Sequence, residues 1–161
     1  MQTAVGGRVE DRVGYALKRA QHALRSRMDR ALHDLGLTTA QYAALSALET
    51  APGLSGAELA RRSFVTPQTM NGIVTNLEAA GLLRRRPQPN HGRVLEASLS
   101  AAGAAVLAEA HGRVAAVEAR MVASLNDAER RHLLVALRAC AEALIGPEGE
   151  LAAEDVRRGT E

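Results

Sequence analysis

Residues 55–93 read SGAELARRSFVTPQTMNGIVTNLEAAGLLRRRPQPNHGR, and this stretch decides the fold. Ser55-Gly56-Ala57-Glu58 has the spacing of a capping box, in which a hydroxyl and a carboxylate satisfy backbone N–H groups left free at a helix start. Leu54 and Leu59 stand where a hydrophobic staple would, so a short helix is predicted from Gly56 to Arg62. After the connector Ser63-Phe64-Val65, Thr66 can cap a second helix whose first position is Pro67, where a missing N–H costs little. Met70, Ile73, Val74 and Leu77 recur at helical spacing as its buried stripe, and Gly81 stops it. Leu82 to Arg86 and Val94 to Leu99 then read as two short strands, the second alternating Leu95, Ala97 and Leu99 with Glu96 and Ser98. PQPNHGR, between them, is rich in turn formers. Helix, short turn, helix and ribbon is the order of a winged helix-turn-helix.

Working outward, Val13, Ala16, Leu17, Ala20, Leu24, Met28, Leu32 and Leu35 mark one face of a long first helix that Gly36 ends. Thr38-Thr39-Ala40-Gln41 is a second capping box, opening a helix with Tyr42, Leu45 and Leu48 that stops at Pro52-Gly53. Past the ribbon, Ser100 can cap a long helix whose Leu107, Ala110, Val114, Val117, Met121 and Leu125 approach a coiled-coil seam. Asn126 and Glu129 open a last helix with Leu133, Leu137, Cys140, Ala141 and Leu144 on one side, and Gly146-Pro147 is expected to terminate it. The predicted architecture is mainly α, with six helices and a two-stranded β-wing. Its expected organisation is a loose end over 1–8, a helical region from 9–36 and 100–145 whose apolar seams fit either an intramolecular bundle or a second copy, a winged helix-turn-helix over 37–99, and a frayed tail over 146–161.

Bulk properties narrow the function. The 161 residues suit one folding unit, and with one Phe, two Tyr and no Trp its core must be filled by Leu, Val and Ala. A single Cys, Cys140, excludes an intramolecular disulfide framework and reads as a small buried core residue. No apolar run reaches the roughly 20 residues that cross a bilayer, and MQTAVGGRVEDR lacks a signal-peptide core, so a cytoplasmic protein without a membrane partner is expected. The five histidines, His22, His33, His91, His111 and His132, show no metal-ligand spacing. No nucleophile–base pair, phosphate-cradling glycine loop or paired carboxylates argue for catalysis. Neither an enzyme nor a cofactor is expected.

Net charge is only +2, and its distribution is the informative part. From Arg61 to Arg93 six arginines face one acid, Glu78, a local balance of +5 that leaves −3 for the rest of the chain. Opposite its buried stripe the second helix of the motif offers Gln68, Thr69, Asn71, Gly72, Thr75 and Asn76, with no acid from Thr66 to Leu77. Neutral hydrogen-bonding side chains on such a helix can read base edges in the major groove without repelling phosphates. Arg84, Arg85 and Arg86 are placed for phosphate contact, and Arg93, at the base of the ribbon's tip, for an adjacent minor groove. Charged hairpin residues can also simply keep a strand edge soluble. A winged-helix scaffold that binds another protein is the alternative function.

The segments LTTAQYAALSAL, LSGAELARRSFVTPQTMNGIVTNLEAAGLLRRR and PQPNHGRVLEASLSAAG together resemble the MarR-type bacterial transcription regulators over about residues 9–145. The resemblance implies a homodimer on a pseudo-palindromic double-stranded operator, usually a repressor, released by a small aromatic or phenolic effector or by oxidation. Carried over by position, it implies Thr66, Gln68, Thr69, Asn71, Thr75 and Asn76 as recognition residues and Arg93 as the wing residue; Arg85 matches a frequent basic position. Many members have Asp two residues before the wing arginine, where this chain has His91, and a neutral His cannot hold that arginine by an ion pair. His91 near phosphates would make binding pH-sensitive. Family members often bind aromatic anions in a cleft between the dimer helices and the DNA module, which Tyr15, His22 and Tyr42 could line, but such residues are more often packing or surface groups and no effector-binding residue is assigned.

Overall fold

The computed structural model describes the backbone of residues 8–89 and 91–158, and side chains as far as residue 144 apart from that of His91. The chain divides into two units, one ending at Ala119 and one beginning at Arg120. In the first, a 3₁₀ turn at Val9–Asp11 precedes α1 (Val13–Leu32), and a second at His33–Leu35 runs into Gly36, whose φ of 68° closes the segment. There follow α2 (Thr39–Thr50), β1 (Leu54–Ser55), α3 (Gly56–Arg62), α4 (Pro67–Ala79), β2 (Leu83–Gln88), β3 (His91–Leu99) and α5 (Ala101–Met121), whose last two residues lie in the second unit.

The helix starts are where local chemistry predicts them. Thr38 Oγ1 accepts the Gln41 N–H at 3.2 Å while Gln41 Oε1 accepts the Thr38 N–H at 2.9 Å. Ser55 and Glu58 make the same reciprocal pair at 3.3 and 2.8 Å. Thr66 caps α4 through the Thr69 N–H at 3.1 Å, with Pro67 in the first turn. Ser100 Oγ accepts the Gly103 N–H at 2.9 Å at the start of α5. Each pairing satisfies donors the helix itself cannot.

One apolar core joins these elements. Leu32 of α1, Leu45 and Leu48 of α2, Leu59 of α3, Met70 and Leu77 of α4, Leu83 of β2 and Leu107 of α5 are all fully buried in it. Only the last part of α1 reaches the core: Met28 and Leu32 are buried, whereas residues 11–23 are exposed. The sheet has three strands in the order β1-β3-β2, one more than the sequence suggested. β1 is just Leu54 and Ser55, paired antiparallel to Ala97 and Glu96, too short to leave a periodic signal.

In the second unit Asn126 Oδ1 accepts the N–H groups of Ala128 and Glu129, both at 3.0 Å, and starts α6 (Asp127–Arg158). The expected stop at Gly146-Pro147, with a frayed tail over 146–161, is not what the backbone does: α6 continues to Arg158. A proline removes one hydrogen bond and bends a helix, but the Glu, Leu and Ala residues of 148–154 are good helix formers and resume the ladder. Every described residue from 127 to 144 is exposed. Cys140, expected to be buried, is therefore exposed, because the apolar side of α6 has no cover of its own.

Candidate nucleic-acid interface

α4 is two-faced for a reason visible in its sequence. At about 100° per residue, Gln68, Thr69, Asn71, Gly72, Thr75 and Asn76 fall within an arc of about 160°, opposite Met70, Val74 and Leu77. All six are exposed, and the three apolar residues are buried. Gly72 lies at the middle of the polar arc, with no atom within 4 Å of where a Cβ would stand. The helix surface is flattest there, so a flat ligand could approach its backbone most closely at that point. Thr66 is engaged at both lone pair and proton: besides its cap it donates to Thr69 Oγ1 at 2.9 Å. The Thr69 hydroxyl retains its own proton to donate outward.

The ribbon sorts the arginines by the two-residue period of a strand. Leu83 is buried, Arg85 is half-buried, and Arg84 and Arg86 are exposed on the other face. Arg85 reaches back to the end of α4, where its Nε donates to Glu78 Oε2 at 2.8 Å, its Nη2 donates to the same oxygen, and its backbone N–H meets Oε1 at 3.3 Å. Those side-chain hydrogen bonds, with the Arg85 charge, hold the Glu78 carboxyl below the usual carboxylate range. Arg85 thus braces the wing against α4, its charge offset by the Glu78 carboxylate. The sequence grouped it with Arg84 and Arg86 and counted Glu78 only as a charge; the fold brings that acid, seven residues upstream across the Gly81 turn, onto Arg85 alone of the three. Among the described residues, Arg84, Arg86 and Arg93 have no salt-bridge partner.

Pairing of β2 with β3 is regular from Leu83↔Leu99 to Pro87↔Leu95, then jumps to Gln88↔His91. Pro87 has no N–H with which to continue the ladder, and Gly92, Arg93 and Val94 are left unpaired opposite it. Arg93 is exposed in this irregular segment. The backbone of His91 lies in β3, but its side chain falls outside the described residues.

Two clusters escaped the sequence reading because their members are 62 to 82 residues apart. Tyr42 Oη and His111 Nδ1 are 2.9 Å apart, and His111 Nε2 lies 2.9 Å from Glu49 Oε2, tying α2 to α5. The carboxylate can only accept, so Nε2 carries a proton and donates it to Glu49. Arg113 of α5 donates to the Ala31 carbonyl at 3.0 Å and to Glu109 at 2.7 Å.

Comparison with known proteins completes the assignment. Residues 35–94, from the end of the α1 segment into the wing, match the MarR family model. The HTH-type transcriptional repressor Rv2887 of Mycobacterium tuberculosis is 42% identical over 119 residues, 74% of this chain and 86% of the relative. The chain belongs to the MarR family. The HTH-type transcriptional repressor NicR of Pseudomonas putida, 31% identical over 81% of this chain and 82% of its own length, falls within the same likeness. Rv2887 solved in complex with DNA covers 80% of this chain and 97% of its own at 38% identity, with a TM-score of 0.67. The same protein has been solved with p-aminosalicylic acid, at 37% identity, 81% and 99% coverage and a TM-score of 0.68. The repressor CouR bound to a 23-mer DNA duplex shares 29% identity over 88% of this chain and all of its own, with a TM-score of 0.78. This MarR chain thus has the six helices and wing of transcription regulators, which are not a class of enzyme. Among the described residues no helix is long and apolar enough to cross a membrane, and no three His, Cys, Asp or Glu side chains gather as metal ligands.

Proposed function

We propose that this MarR chain is a sequence-specific transcriptional repressor that binds a pseudo-palindromic operator as a homodimer and releases it on binding a small aromatic acid. The observation that carries the reading is the pairing of an exposed, acid-free polar arc on α4 with a wing on which Arg84, Arg86 and Arg93 are exposed. Gln68, Thr69, Asn71, Thr75 and Asn76 read base edges, Thr66 shapes the helix start, and Arg84 and Arg86 contact phosphates. Arg93 enters the neighbouring minor groove. His91 stands close enough in sequence to take part, and operator affinity measured from about pH 6 to about pH 8 tests it.

Dimerisation is supported by apolar side chains that the single chain leaves bare, Val13 and Leu17 on α1 and Leu133, Leu137 and Leu144 on α6. A second copy covers such surface and sets two α4 helices about one DNA turn apart. The effector class follows the relative of known ligand, Rv2887, solved with salicylic acid and p-aminosalicylic acid.

The deciding experiment is a footprint of the purified protein on its own upstream DNA, repeated with Arg93→Ala and with salicylate. Expected are protection of a symmetric site, weaker protection by the variant, and release by the aromatic acid. No protection anywhere in the parent genome overturns the repressor reading and returns the fold to a protein-binding scaffold. Unchanged protection by Arg93→Ala removes the wing assignment alone.

A further inference from the structure

α3 ends in a Schellman motif: the Phe64 N–H bonds to the Arg61 carbonyl at 3.3 Å and the Val65 N–H to the Ala60 carbonyl at 3.1 Å. Phe64 occupies the left-handed position of that motif with φ 54°, the one non-glycine residue with positive φ among those described. Glycine fills this position without steric cost, whereas a side chain there crowds the following carbonyl. The chain's only Phe has been placed in it, and its ring is 93% exposed. The protomer therefore bears both the backbone strain and the hydration of a large apolar surface, and gains no packing from either.

The surroundings specify what the ring meets. Thr66, the cap of α4, is two residues on, with exposed Gln68 and Thr69 just beyond, and exposed Arg61 and Arg62 precede it. Among the large apolar residues from 18 to 93, Phe64 alone is strongly exposed. An isolated ring between arginines and hydrogen-bonding groups is not the contiguous apolar patch of a protein–protein contact. It suits duplex DNA, whose sugars and thymine methyl groups offer apolar surface to an aromatic ring while its phosphates engage cations.

Resting on the reading of α4 and the wing as a DNA interface, we propose that Phe64 is a DNA-contacting residue. Its ring lies against the sugars and thymine methyl groups of the strand beside the α4 N-terminus, with Arg61 and Arg62 on flanking phosphates. The contact supplies affinity that does not depend on salt.

The test uses the full-length protein on the site that the wild type protects. Phe64→Gly is expected to leave Tm unchanged or raised, because the strain goes, while weakening operator binding about tenfold, the effect of losing a partly buried ring. Phe64→Asn, a polar residue that tolerates the left-handed region, is expected to weaken binding similarly. Neither changes the slope of log affinity against log salt, whereas Arg62→Ala lowers that slope by about one. Wild-type affinity in Phe64→Gly overturns the proposal. So does a fall in Tm with Phe64→Gly, which would mean that the ring serves the fold. A wild-type protein that protects no DNA overturns the interface itself, a separate outcome seen before any variant is made.

Discussion

Two glycines of α5 should respond to the same substitution with opposite signs. A Cβ built on Gly103 stands 1.9 Å from the Leu82 carbonyl oxygen and 2.8 Å from its carbon. Both are backbone atoms, so no side chain can swing aside. Leu82 O already accepts the Ser100 N–H at 3.1 Å, and Ser100 Oγ donates to the Gly81 carbonyl at 2.6 Å while accepting the Gly103 N–H at 2.9 Å. Gly103→Ala must push the start of α5 away by about an ångström and stretch all three bonds, each worth about 1 kcal/mol net. Helix propensity returns about 1 kcal/mol for replacing Gly with Ala, leaving a loss of about 2 kcal/mol. Gly112, in the same helix, is exposed, with nothing within 4 Å of its virtual Cβ, so Gly112→Ala collects the propensity gain alone. At about 2–4 °C per kcal/mol for a chain of this size, Gly103→Ala should lower Tm by about 4–8 °C and Gly112→Ala raise it by about 2–4 °C. Thermal melting checked by urea midpoints reads both. If Gly103→Ala melts at or above the wild-type temperature, the close approach of α5 to the β2 entry is not a constraint on the fold.

Three other outcomes follow from the geometry. Arg84→Ala should lower the salt dependence of operator binding by about one counterion at unchanged Tm; Arg85→Ala should lower Tm and leave that slope alone, a contrast read from binding titrations at several salt concentrations. Gly72→Ala should gain about 1 kcal/mol of stability yet weaken operator binding, since its methyl stands at the middle of the reading arc; equal affinity would move the centre of the interface off Gly72. Hydrogen bonds from the Thr39 hydroxyl and backbone lower the Asp29 pKa, and those from the Ser55 hydroxyl and backbone lower that of Glu58. Folded-state values below the unfolded ones stabilise the protein above the ordinary carboxylate range, and this is lost as pH falls through it and below. Asp29→Asn should therefore flatten the acid limb of a Tm-against-pH curve.

What could be read in advance was what depends on neighbours in sequence. The caps at Thr38, Ser55, Thr66 and Ser100 and the Gly36 and Gly81 stops are set within three or four residues, and the structure has them there. The polar arc of α4 was legible for the same reason, being a matter of helical spacing. Arg85 could not be told from Arg84 and Arg86 because three consecutive arginines look alike until strand alternation and the α4 turn aim one of them at Glu78. β1 and the Tyr42–His111–Glu49 link depend on tertiary approach, which leaves no local pattern. Cys140 was misjudged from the apolar stripe of α6, since periodicity shows which side of a helix is to be covered but not that its own chain covers it.

The jump in pairing after Pro87 gives the ribbon unequal halves, a forearm of continuous ladder and a fingertip in which Arg93 has no cross-strand partner. DNA groove width varies with sequence and is narrow over A-tracts, where the negative potential that draws arginine is strongest. On the proposed operator the fingertip can tilt to follow that width while α4 stays in register. The two elements then discriminate by different physics, α4 by the donors and acceptors of individual bases and the wing by the shape of the duplex beside them. Operator positions outside the α4 footprint would be selected for flexure and groove width rather than for base identity.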